Sequence, residues 1–119
     1  MKKWLLLLVA LLCLAPTPGD VGGCGQPAQE LDAPIFFATK KAIDCQQCRR
    51  CGFANQTCAL ACDSSAEVAV SFPEGCLPLV HDGEVCLRRL QHASCGEYES
   101  FIDDASPTTP TECNFCPPR

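Results

Sequence analysis

Residues 45–62 read CQQCRRCGFANQTCALAC, five cysteines in eighteen positions of a chain that has 12 in 119. A short chain this rich in Cys is a disulfide scaffold, in which cross-links replace much of the apolar interior. Cys58 and Cys62 are four apart in the helix-favouring run QTCALAC. Their thiols therefore share a face, where they are poorly placed to bond each other and well placed to bond a neighbouring segment. Cys45, Cys48 and Cys51 open like an iron–sulfur ligand run, but that run needs its next Cys after three residues, and position 55 is Asn. Cys113 and Cys116 could complete a four-thiolate zinc site with Cys45 and Cys48. A thioredoxin-like reading would need a βαβ unit, and none is visible. We expect structural disulfides instead, drawn from Cys45, Cys48, Cys51, Cys58, Cys62, Cys76, Cys86, Cys95, Cys113 and Cys116, with no metal, cofactor or catalytic residue. The spacing leaves the pairing open.

The N-terminus supplies the reason for expecting oxidised thiols. Lys2 and Lys3 precede an unbroken apolar run from Trp4 to Ala15, closed by Pro16-Thr17-Pro18-Gly19, which has the form of a secretory signal. As a helix this run spans about 18 Å, short of a hydrocarbon core of roughly 30 Å. Val21-Gly22-Gly23-Cys24 follows, with the aliphatic, small, small, Cys order of a bacterial lipobox, although Asp20 and the Pro-rich stretch set it apart from the apolar run. Ordinary cleavage at the same bond would leave Cys24 a plain half-cystine. Cysteine parity favours the lipid: with Cys13 removed eleven remain, and assigning Cys24 to a thioether leaves ten, able to form five bridges. We therefore expect a signal peptide over 1–23, a lipidated Cys24 with its tether over 24–33, and a Cys-rich domain over 34–119. Residues 24–119 carry 7 Lys and Arg against 13 Asp and Glu, which offers nucleic acid no basic surface.

Within the domain, Ala33 to Ile43 places Ile35, Phe36 and Ile43 at roughly helical spacing, with Pro34 at a first-turn position and Lys40 and Lys41 late in the run. Val68, Val70 and Phe72 alternate as in a short strand or an extended linker. Asp82 is read as the cap of a helix through Leu90 and Ala93, with an apolar stripe at Cys86, Leu87 and Leu90 and with Arg88 and Arg89 turned away. Ser94-Cys95-Gly96-Glu97 has capping-box form and opens a second helix through Tyr98, Phe101 and Ile102. The tail from Ser106 has four prolines, and Cys113 and Cys116 should staple it to the body. The fold expected is a small disulfide-rich, mainly α domain: short helices stapled by about five disulfides, with a Pro-rich C-terminal tail.

Residues that could suggest chemistry have plainer readings. His81 and His92 stand without a recognisable nucleophile and carboxylate, and Thr57, Ser64, Ser65 and Ser94 read as caps. Glu97, Glu99, Asp103 and Asp104 read as a solvated acidic face that matches no calcium loop. Asn55-Gln56-Thr57 is a glycosylation sequon, read as chance behind a bacterial export signal.

The segments VGGCGQ (21–26), IFFATKKAIDCQQCRRCG (35–52), FPEGCLPLVHDGEVCLRRLQHASC (72–95) and PTECNFCP (110–117) resemble those of cysteine-rich, lipoprotein-like proteins predicted from myxobacterial genomes. The resemblance covers nearly all of the chain beyond residue 23. It implies a Gram-negative envelope location and supports Cys24 as the lipidated residue, and it carries no activity with it. The expected role is non-enzymatic: a lipid-anchored envelope protein, in the outer membrane, that binds another envelope protein or a glycan or has a structural part. Two other classes compete. One is thiol-redox or metal chemistry at Cys45, Cys48 and Cys51; the other is a periplasmic or secreted, inhibitor- or toxin-like soluble domain.

Overall fold

A computed structural model of the chain describes residues 27–116. The expected signal segment and Cys24 lie outside the described residues. Among the latter are four α-helices, and no strand: α1 (Ala33–Cys51), α2 (Gln56–Cys62), α3 (Val80–His92) and α4 (Cys95–Phe101), followed by a 3-10 turn at Thr111–Cys113.

α1 begins where Asp32 accepts the Ile35 N–H at 2.9 Å and Pro34 sits in the first turn. It ends at Gly52, whose φ of 72° is the left-handed conformation a side chain resists and whose N–H returns to the Cys48 carbonyl. The helix thus runs eight residues past the expected Ile43, through the cysteine triplet, because nothing in DCQQCRRC breaks it and Arg49 and Arg50 suit its C-terminal end. Positions three apart on a helix turn back by about 60°, so the thiols of Cys45, Cys48 and Cys51 fan out over about 120° and face different neighbours.

α2 is capped twice. The Asn55 side chain accepts the Cys58 N–H at 2.9 Å, while Asp104, far along the chain, accepts the N–H groups of Gln56 and Thr57 and the Thr57 hydroxyl at 2.7–2.9 Å. Asp103 closes its own turn by accepting from Ala105 and Ser106. Glu97, Glu99, Asp103 and Asp104 are all exposed, as a solvated acidic face requires, and Asp103 and Asp104 serve in addition as caps. Asn55 also donates to the Ile102 carbonyl at 2.7 Å, so both ends of its amide are engaged in joining α2 to the end of α4.

α3 starts at Val80, two residues before the expected cap; Asp82 instead lies inside the first turn and reaches back to accept the Leu79 N–H at 2.9 Å. Cys86 and Leu90 of its stripe are fully buried and Leu87 half-buried. Arg88 is exposed as expected, but Arg89 is not turned away: it donates to Glu97 at 2.6 Å and its guanidinium lies 5.9 Å from the Phe101 ring centre. The α4 capping box forms in both directions, the Ser94 hydroxyl accepting from the Glu97 N–H at 3.2 Å and Glu97 accepting from the Ser94 N–H at 2.9 Å.

α1 packs against α2, α3 and α4, and the 3-10 turn packs on α3. The core between them is Phe36, Ile43, Leu90, Ala93, Tyr98 and Ile102 together with Cys48, Cys58 and Cys86, so sulfur fills volume that aliphatic side chains would otherwise fill. Residues 68–72 form no strand. Their Phe72 instead enters a ring cluster, 5.8 Å from Phe36, 5.2 Å from Phe37 and 6.1 Å from Phe115. The chain before α1 is held to the body: Glu30 and Leu79 form an isolated antiparallel bridge, flanked by Leu31 N–H to Pro78 at 2.8 Å and Val80 N–H to Gln29 at 2.9 Å. Gly83 lies beneath Leu31, so close that a Cβ there would stand 2.6 Å from a Leu31 methyl.

Candidate functional site

The features that could carry function are the sulfur framework, the polar groups buried beneath it and the groove it borders. The ten cysteines of the described residues form five bridges. Cys45–Cys62 and Cys48–Cys58, with Cα atoms 4.8 and 5.8 Å apart, are two rungs between α1 and α2. Cys58 and Cys62 thus bond a neighbouring helix and not each other, as their spacing requires. Cys51–Cys95 (5.5 Å) ties the end of α1 to the start of α4. Cys86–Cys113 (4.6 Å) and Cys76–Cys116 (5.6 Å) fasten the C-terminal segment to α3 and to the loop before it. No bridge joins two cysteines that are consecutive along the chain. Cys45, Cys48 and Cys51 each take a separate partner, and Cys113 and Cys116 are bound elsewhere, so the four sulfurs of the zinc reading are not brought together. Among the described residues no three His, Cys, Asp or Glu side chains converge as metal ligands.

Beneath the rungs lies a polar spine on α1 that the sequence reading missed. Tyr98 is fully buried and its hydroxyl donates to Asp44, which also accepts from Lys40 at 2.7 Å. Burial, followed by the neighbouring Asp44 carboxylate, raises the Tyr98 phenol far above its ordinary value, so it is a fixed donor at any physiological pH. Gln47, also buried, donates to the carbonyls of Leu90 and Gln91 at 2.9 and 3.0 Å and accepts from Arg50 at 2.6 Å; Arg50 in turn donates to Ala93 at 3.0 Å. These bonds satisfy the carbonyls at the end of α3, where no further helical turn can. The one local signal was the i, i+4 pair Lys40 and Asp44; burial of Asp44 and Gln47 depends on α3 and α4.

α1 and α2 border a shallow groove of about 500 Å³, lined by Lys41, Cys45, Gln46, Arg49, Cys62 and Asp63 among others. Lys41 spans its end, donating to the carbonyls of Asp63 and Ala66. The Asp63 carboxyl is held below the usual range chiefly by bonds from the Ser65 hydroxyl and N–H, with a smaller contribution from Lys41. Apolar side chains remain exposed elsewhere, Ile35, Val70 and Leu77 each at about two-thirds or more. His81 and His92 are exposed. Cys24, the expected lipid site, lies outside the described residues. No protein-family model, curated protein or solved structure matches the chain.

Proposed function

We propose that this chain is an exported bacterial envelope protein, held to a membrane by lipid on Cys24, whose disulfide-stapled helical domain is a non-enzymatic module that binds an envelope protein or glycan or has a structural role. The observation that carries the reading is the closed sulfur inventory: all ten cysteines of the body pair with one another, so none is left for Cys24. A free thiol directly after Val21-Gly22-Gly23 is the substrate form that lipid transfer requires, and the described cysteines leave Cys24 no bridge to make with them. Five bridges also fit an oxidising compartment, since cytosolic thiols are kept reduced. Among the described residues no helix is long and apolar enough to cross a membrane, so attachment in this reading rests on the acyl chains. The resemblance to lipoprotein-like myxobacterial sequences agrees with the same location.

Intact mass spectrometry of the native protein tests the reading. The expected species begins at Cys24, carries acyl mass there and lacks ten hydrogens, and Cys24→Ala moves the protein from the membrane to the soluble fraction. A mature protein without acyl mass, found in the medium with Cys24 free or in an intermolecular bridge, would replace this reading with the secreted, soluble one.

A further inference from the structure

Among the ten bridged cysteines Cys62 alone is exposed; Cys48, Cys58 and Cys86 are buried and the others are half-covered. Its bond to Cys45 borders the groove between α1 and α2. The two sulfurs of that bond are unequally placed: Cys62 is exposed and Cys45 half-covered. Cys45 lies within α1 with Arg49 one turn after it on the same face, lining the groove, whereas the Lys41 ammonium is held beyond the other sulfur, on the Asp63 and Ala66 carbonyls. Cys62 is the last residue of α2 and is followed by Asp63, whose negative charge Lys41 faces. The sulfur open to attack is therefore the exposed one of Cys62, which makes the half-covered Cys45, one turn from Arg49, the departing thiolate.

We infer that Cys45–Cys62 is a thiol–disulfide exchange site whose reaction partner is a dithiol, small or borne by an oxidoreductase. One thiolate of the dithiol attacks the Cys62 Sγ, forming a mixed disulfide; the Cys45–Cys62 bond breaks, and its electron pair departs on Cys45 as a thiolate, on the face of α1 that also carries Arg49. The second thiol of the partner, its proton released to solvent, then displaces Cys62. The partner leaves as a disulfide, oxidised by two electrons, and the bridge is left as two reduced cysteines. Opening is local, because Cys48–Cys58 still joins the two helices and Lys41 still holds the Asp63 and Ala66 carbonyls. The inference is independent of the fate of Cys24.

Native protein purified without reductant is treated with limiting dithiothreitol, alkylated at intervals and mapped by peptide mass spectrometry. Cys45 and Cys62 are expected to be alkylated as a pair about tenfold sooner than the other eight, with helical circular dichroism retained. Arg49→Gln should slow this first phase about two- to threefold, the effect of a fraction of a pKa unit on the leaving thiol, and leave Cys86–Cys113 unaffected. The double substitution Cys45→Ser with Cys62→Ser should abolish the early phase while the other four bridges form. Another bridge opening first, helix loss in step with the first alkylation, or a first phase insensitive to Arg49→Gln would overturn the inference.

Discussion

Removing one oxygen atom from Tyr98 tests whether the buried polar spine holds α4 onto α1. The hydroxyl donates to Asp44, whose side chain keeps 13% exposure and also holds Lys40 at 2.7 Å. Tyr98→Phe preserves the ring and its edge contact with Phe101, at 5.6 Å between centroids, so the change isolates the hydrogen bond. A bond to a charged group is worth about 1.5–3 kcal/mol net. Asp44 retains Lys40 and some water, which places the expected loss in the lower half of that range, about 1.5–2 kcal/mol. Urea unfolding without reductant, followed by circular dichroism, should show an earlier midpoint with an unchanged slope. Asp44→Asn should cost less in the Tyr98→Phe background than in the parent, because the two residues share one interaction. The phenol adds a pH signature. Its folded pKa is raised above the ordinary 10, so its contribution is complete below about pH 10 and declines above it, and Tyr98→Phe should remove that part of the alkaline decline. A Tyr98→Phe variant within about 0.5 kcal/mol of the parent would refute the account of the spine.

Three further outcomes follow from the geometry. Glu97 is held at about 2 first by Arg89 and then by Ser94, below its ordinary 4.5, so its contribution is present above pH 4.5 and lost as the pH falls toward 2; the urea midpoint of the parent should decline more steeply over that window than that of Glu97→Gln. Replacing Cys51 and Cys95 together by Ala frees a loop with a sequence separation of 44, which the chain-entropy model sets at about 4 kcal/mol; calorimetry should show this as the largest loss among the three bridges that α1 makes. Gly83→Ala would ordinarily stabilise a helix by about 1 kcal/mol, but here the new methyl displaces Leu31, so no gain is expected and the Leu31 amide should exchange faster; a full gain at unchanged exchange would show that Leu31 yields without consequence.

What could be read from the chain alone was whatever depends on neighbours in sequence. Ser94 and Glu97 specify the start of α4 by themselves, and Cys58 and Cys62 specify by their spacing that they face one way. Pro34 likewise suits the first turn of α1, while the Asp32 cap went unread. Reading failed where a residue answers to something distant. Asp104 caps a helix 47 positions earlier, Arg89 turns inward because the corner after Ala93 brings Glu97 back to it, and Asp44 and Gln47 are buried only because α3 and α4 cover them. The end of α1 is illegible for a different reason: the apolar spacing stops at Ile43, yet Cys is compatible with helix, and the fan of its thiols is what lets one helix reach both α2 and α4. The partner of each sulfur was never legible, because pairing follows from the packing.

Under the proposed export, the bridge pattern bears on how the protein is made. A chain that crosses a membrane N-terminus first presents Cys45 and Cys48 to the oxidant together, before Cys58 or Cys62 has emerged, and Cys51 must wait for Cys95. Since no native pair is adjacent in that order of arrival, a catalyst that joins thiols as they appear produces the wrong bond at every step. Correct material then depends on delayed closure or on an isomerase that reshuffles early mistakes, and a host that lacks one should yield scrambled isomers of correct mass.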